Sequence, residues 1–257
     1  MLFDTALRRK PLSQLMPADE RIYAIGDVHG RLDLLHQLLG KIEDDIAQRS
    51  PARNRIIVLG DFIDRGPDSA RIASIFASRQ TRPGLIVLKG NHEAALVDGI
   101  RGDRAALDLW IEHGGDATLR SFGASEDEIY PADSRVLLET VRRIIPKTLV
   151  KWMARLPLMY RCGGYLFVHA GIRPGVSLHK QTADDLLWIR DAFIHSQANH
   201  GAIIVHGHTV FETGVSLNAN RIGVDTGACR TGRLSAVGLE GNARWVLDTG
   251  FATEDAL

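Results

Sequence analysis

Two carboxylates, one amide and three imidazoles stand where short apolar runs give out, the setting in which side chains do chemistry. Asp27 and His29 follow the run in IYAIGDVHG at 22–30, and Asp61 follows the one in RIIVLGDFIDRG at 55–66. Asn91 follows in LIVLKGNHE at 85–93, His169 in YLFVHAG at 165–171 and His206 in AIIVHGHT at 202–209. An open sheet gathers its ligand-binding groups beyond the carboxyl ends of its strands, so five such ends can converge on one site. Asp27 and His29 are two apart in an extended segment and project to the same side. This mixed oxygen and nitrogen set, without thiolate, suits Mn, Fe or Zn better than Mg or a structural zinc cage. Six ligands are too many for one open catalytic metal and about right for two divalent ions sharing a carboxylate. Asp61 is the residue we assign to that bridge. Taken singly, a DxH or GNH after a strand is an ordinary turn, but five of the ten histidines (His29, His92, His169, His206, His208) fall in these motifs. The joint occurrence carries the signal.

The elements that must position these groups are legible around them. Residues 21–25 read as a first strand and 31–46 as a helix, with Leu35, Leu38, Leu39, Ile42 and Ile46 at helical spacing. The pattern repeats with a strand at 55–59 and a helix from Pro67, then with 85–88 and a helix from about Glu93. Three such units predict parallel strands with right-handed crossovers. Residues 99–145 break the pattern and read as a helical insertion or cap beside the site, of the kind that sets substrate access. After Pro157 short strands return, through a hairpin at Gly163 and Gly164 and a helix from Ala183 capped by Thr182, to what reads as a second, largely antiparallel sheet. The expected architecture is α/β (α+β): one domain over 20–250, two sheets covered outside by helices, preceded by a flexible lead at 1–19.

Composition bounds the function classes. With 45% hydrophobic and 24% charged residues the chain can build a real core, and 31 basic residues balance 31 acidic ones. No basic stripe invites nucleic acid, and no window approaches the ~20 apolar residues that span a bilayer. Arg8, Arg9 and Lys10 are followed by Pro11 rather than an apolar stretch, which does not read as a signal peptide. Cys162 and Cys229 stand far apart in no metal-binding spacing, as free thiols of a reducing, cytoplasmic compartment do.

GDVHG at 26–30, GDFIDRG at 60–66, GNHE at 90–93, HAG at 169–171 and HGH at 206–208 resemble the phosphoprotein phosphatase family of calcineurin-like metallophosphoesterases. HGHT, DTGA at 225–228 and LWIR look similar to its bacterial and phage branch, typified by the bacteriophage lambda phosphatase. The resemblance implies a two-sheet β-sandwich flanked by helices on both outer faces, two divalent metal ions and phosphomonoester hydrolysis. By position, Asp27 and His29 look like ligands of one metal and Asn91, His169 and His206 of the other, with Asp61 between. Two divalent cations would make a bridging hydroxide available near neutral pH for in-line attack on phosphorus. His92 resembles the family's general acid and Asp64 its carboxylate partner. Arg65, whose planar fork fits phosphoryl oxygens, is a candidate phosphate binder. Arg190 matches a second by position, with Arg173 its competitor. His208, beyond His206, reads as a supporting residue, and Asp225 as either an orienting group or a strand end.

The resulting expectation is a serine/threonine protein phosphatase, with phosphotyrosine a further candidate substrate. The rival is a diadenosine tetraphosphatase-type hydrolase of dinucleoside polyphosphates. In bacterial forms of those enzymes the resemblance implies loss of the dyad aspartate and GNHD for GNHE, whereas this chain keeps Asp64 and Glu93. A catalytically silent scaffold would have lost a ligand or the acid, and none is lost.

Overall fold

The computed structural model describes residues 15–79, 81–131 and 134–250. Ten strands occur among them: β1 Glu20–Ile25, β2 Arg53–Val58, β3 Leu85–Val87, β4 Met159–Cys162, β5 Tyr165–Val168, β6 Ile203–His206, β7 Ser216–Leu217, β8 Arg221–Gly223, β9 Ser235–Glu240 and β10 Ala243–Asp248. The helices that frame the site are α1 Leu32–Ala47, α2 Ser69–Arg79, α3 Asn91–Arg101, α4 Arg104–Trp110, α5 Asp116–Ser121, α6 Glu126–Ile129, α7 Ser134–Ile144, α8 Lys147–Ala154 and α9 Ala183–Trp188. Of the lead expected over 1–19, residues 1–14 lie outside the described residues. Met16 is buried, and its N–H donates to the Gly241 carbonyl at 2.8 Å.

One sheet runs β10-β9-β1-β2-β3, the other β4-β5-β6-β8-β7. The β1, β2 and β3 pairings are parallel as expected. Two details differ from the sequence reading. β9 and β10 belong to the first sheet, where β9 lies antiparallel to β1, and the centre of the second sheet, β5-β6-β8, is parallel. Alternation of apolar residues identifies a strand but carries no information on its neighbour, so partner and direction were beyond its reach.

The burial pattern of β1 explains the layering. Ile22 and Ala24 face the second sheet, joining Ile57, Leu59, Val237 and Leu239 against Tyr165, Phe167, Val205 and Ile222. Tyr23 and Ile25, one residue out of phase, pack with Leu35, Leu38, Ile72 and Phe76 under α1 and α2. The outer face of the second sheet is covered in turn, with Leu166, Val168 and Ile204 meeting Leu186 of α9 and Phe193. Both sheets are therefore buried on two faces, and their functional groups can emerge only at the strand ends. In the region expected as a helical insertion, the described residues form α4 to α7 and no strand. Helices α4 and α5 are joined by a π-turn at Ile111–Gly115, in which Gly114 has φ 109°. Among the described residues no helix is long and apolar enough to cross a membrane.

Candidate metal centre and acid dyad

Asp61 sits at the centre of the site. It follows β2 in a turn where its own φ is +48°, and its Oδ2 lies 3.4 Å from His169 Nε2 and 3.8 Å from both His29 Nε2 and His92 Nε2. Two sets of donor atoms, each within 4.8 Å of one another, meet there: His29, Asp61 and His92 in one, and Asp61, His169 and His208 in the other. Asp61 is the member they share, the geometry a bridging carboxylate needs. The ring orientations fit the same purpose. His29 Nδ1 donates to the Ile63 carbonyl and His169 Nδ1 to that of Leu59, each at 2.9 Å, which turns both Nε2 lone pairs toward Asp61.

Without a cation the donor atoms are in conflict with one another. His169 Nε2 faces Asn91 Oδ1 at 2.8 Å, and with Nδ1 already donating these are two acceptors directed at one another. His208 Nε2 is buried with no hydrogen-bond partner. Burial lowers the pKa of His29 to about 3 and that of His208 to about 2, so both rings are neutral, the form that ligates metal. Burial, with Asp225 and Asp61 alongside, pushes the Asp27 carboxyl well above its ordinary value, and burial lifts Asp225 to about 6. Clashing acceptors, an orphaned imidazole and crowded carboxylates are all relieved by bound cations, so the residues fit a divalent metal pair.

The sequence reading of His206 requires correction. Its ring packs against Phe193 and Phe211, with centroids at 5.1 and 6.2 Å, and its Nδ1 contacts the Gly207 carbonyl rather than entering either donor set. Its Nε2 too is buried without a partner. The ring that reaches Asp61 and His169 is His208, at 5.0 Å between centroids from His169. Alternation sends His208 away from the ligands only while the strand lasts, and β6 ends at His206 and His208 has φ +61°, so a period of two does not hold past it. Gly207 makes the turn possible, because a Cβ there would lie 2.1 Å from Asp27 Oδ1. Asp27 accepts the His208 N–H on both oxygens, at 3.2 and 3.0 Å.

The acid candidate His92 is at the start of α3. Its Nδ1 meets Asp64 Oδ2 at 2.7 Å, with both groups buried. Burial would discharge the ring, but Asp61 and then Asp64 outweigh it and hold the His92 pKa above its usual value. Arg65 Nη2 and His92 Nε2 lie 3.1 Å apart, and Arg65 also lines a cleft of about 290 Å³ with His29, Asp225 and Cys229. Arg190 Nη1 donates to the His208 carbonyl at 3.4 Å, at the edge of the cluster. Arg173 instead points away, with Nη2 at 2.6 Å from Asp185. The structure thus brings Asp27, His29, Asp61, Asp64, Arg65, Asn91, His92, His169 and Arg190 together with His208, and leaves His206 and Arg173 outside.

A model of the calcineurin-like phosphoesterase family matches residues 20–236. The chain belongs to this family. Calcineurin-like phosphoesterases use divalent metals, in keeping with the two His/Asp groups. Among its relatives, serine/threonine-protein phosphatase 2 of Escherichia coli (strain K12) is 28% identical over 226 residues, covering 83% of this chain and 90% of that protein. The symmetrical bis(5'-nucleosyl)-tetraphosphatase of Dechloromonas aromatica (strain RCB) is 30% identical over 153 residues, or 59% of this chain and 44% of that protein. A solved protein serine/threonine phosphatase from Saccharomyces cerevisiae has the same fold, with a TM-score of 0.54 at 16% identity over 92% of this chain and 81% of its own.

Three further residues of this calcineurin-like site escaped the sequence reading. Glu93, which the sequence shows only as part of GNHE, is fully buried, and its carboxylate accepts four backbone N–H groups, those of Asp61, Phe62, Ile63 and Gly90, at 2.8 to 3.3 Å. Burial, with Asp61 nearby, raises the pKa of this carboxyl, and the Gly90 N–H works against that shift by favouring the ionised form. Trp110 and Thr118 reach Asp64 from the insertion. A lone Trp and a lone Thr in a helical stretch have no spacing that marks them.

Proposed function

We propose that this hydrolase is a phosphoprotein phosphatase acting on phosphoserine or phosphothreonine, with phosphotyrosine a further candidate. The observation that carries this reading is the His92–Asp64 pair, bonded at 2.7 Å beside Asp61. A serine alkoxide is a poor leaving group that must be protonated as it departs, whereas the nucleotide leaving from a dinucleoside polyphosphate departs as a stable anion without an acid. A buried, carboxylate-backed imidazole is therefore machinery for alkoxides. Similarity to the Escherichia coli phosphatase along 90% of its length supports the same choice, against 44% for the tetraphosphatase.

In this mechanism Asp27, His29 and Asp61 would hold one divalent ion, and Asp61, Asn91, His169 and His208 the other, with Mn the choice for reconstitution and Fe or Zn as alternatives. When bound, such a pair supplies Lewis-acid polarisation of the phosphoryl group and a water acidic enough to attack near neutral pH. Arg65 and Arg190 bind phosphoryl oxygens and set the ester in line. His92 delivers its Nε2 proton to the departing oxygen while Asp64 keeps the Nδ1 side fixed. The substrate is a phosphorylated peptide or protein, and the two free cysteines, Cys162 and Cys229, suit a cytoplasmic setting.

The second reading, a tetraphosphatase, rests on the 30% identity to the Dechloromonas enzyme. Apo protein reloaded with Mn separates the two when a phosphoserine peptide and diadenosine tetraphosphate are supplied at equal concentration. Preference for the peptide is expected, and preference for the dinucleotide would transfer the same metal chemistry to nucleotide substrates. His92→Asn is expected to lower kcat on the peptide by about 10²- to 10⁴-fold with metal content unchanged, and to spare p-nitrophenyl phosphate, whose leaving group needs little protonation. Equal loss on both esters would remove His92 from the acid role.

A further inference from the structure

Asp64 is held by more than its histidine. Its Oδ2 takes the His92 Nδ1 contact, and its Oδ1 accepts from Trp110 Nε1 at 3.0 Å and from Thr118 Oγ1 at 2.5 Å. The Asp64 N–H, in turn, donates to Thr118 Oγ1 at 3.0 Å and to Ser69 Oγ at 2.9 Å. All of these groups are buried, Trp110 at 1% exposure and Thr118 at 0%. Asp64 and Arg65 both have positive φ, +73° and +68°, a conformation that non-glycine residues keep only where surroundings over-determine it. The insertion supplies that constraint. Thr118 fixes the Asp64 backbone, and the Gly114 carbonyl accepts the Arg65 N–H at 3.0 Å.

We propose that Trp110 and Thr118 are positioning residues of the reaction, which fix the Asp64 carboxylate so that His92 stays aimed at the leaving group. A buried carboxylate bonded only to one imidazole can rotate about its terminal torsion, which is broad. Two fixed donors on Oδ1 define its plane and leave Oδ2 for the ring. Both are hydrogen-bond donors to an ionised acceptor, the stronger class of such bonds. The segment at 99–145 is thereby part of the acid machinery. The inference rests on His92 being the general acid.

Thr118→Val and Trp110→Phe, with Thr118→Ser and His92→Asn as references, test it in Mn-loaded protein on a phosphoserine peptide and on p-nitrophenyl phosphate. Thr118→Val and Trp110→Phe are each expected to lower kcat on the peptide about tenfold and on the aryl ester less than about threefold. KM and metal content should hold, and Thr118→Ser should restore the peptide rate by restoring the hydroxyl. Should Thr118→Val not fold, Trp110→Phe carries the comparison, since it keeps an aromatic ring in place and deletes only the donor. If His92→Asn is selective for the peptide while these variants lose both activities equally, or Thr118→Ser behaves as Thr118→Val, positioning is overturned and the acid reading survives. If His92→Asn itself loses both equally, the acid reading falls and this inference with it.

Discussion

His208→Ala is expected to remove one of two bound Mn ions and to lower turnover by at least about a hundredfold, whereas His206→Ala is expected to keep both ions and lose stability instead. The two residues are two apart in one motif, yet their environments differ completely. His208 is in the donor set with Asp61 and His169, while the His206 ring packs edge-on against Phe193 and Phe211. Truncating a fully buried ring of that size leaves a cavity and costs about 3 kcal/mol. Metal content of the dialysed proteins, read by atomic emission beside urea unfolding curves, distinguishes the two outcomes. One ion lost from the His206 variant and none from the His208 variant would return the ligand role to His206.

Glu93→Gln, an isosteric change, is expected to destabilise the fold by about 3 kcal/mol. Oε2 accepts from Asp61 and Gly90 N–H, and Oε1 from those of Phe62 and Ile63, so neither oxygen can become an NH₂ without confronting two buried donors. Flipping the amide only exchanges which pair is orphaned. The loss should appear as a lower urea midpoint at unchanged slope, because the surface exposed on unfolding is the same. A shift smaller than about 1 kcal/mol would mean that the GDFID turn relaxes to find other acceptors and is not held by Glu93.

These two residues also mark how far the sequence could be read. Asp27, His29, Asp61, Asn91 and His169 were legible because each follows a strand whose apolar run announces its end. His208 was not, because its place depends on a left-handed backbone, and side-chain alternation has no meaning once the strand has stopped. The first three parallel strands could be counted from their repeats, but the assignment of β9 and β10 to the first sheet depends on pairing across more than 200 residues. Trp110 and Thr118 act on Asp64 across 46 and 54 positions, with nothing local to reveal them.

The sandwich gives the centre a mechanical aspect. His29 and Asp61 hang from β1 and β2 of one sheet, His169 and His208 from β5 and β6 of the other. A metal pair held by these residues would tie the two sheets together at their strand ends, beyond the apolar layer between them. Prying the layers apart and releasing the metal would then be a single event. Free metal in solution would oppose that opening by mass action, and a chelator would remove that support.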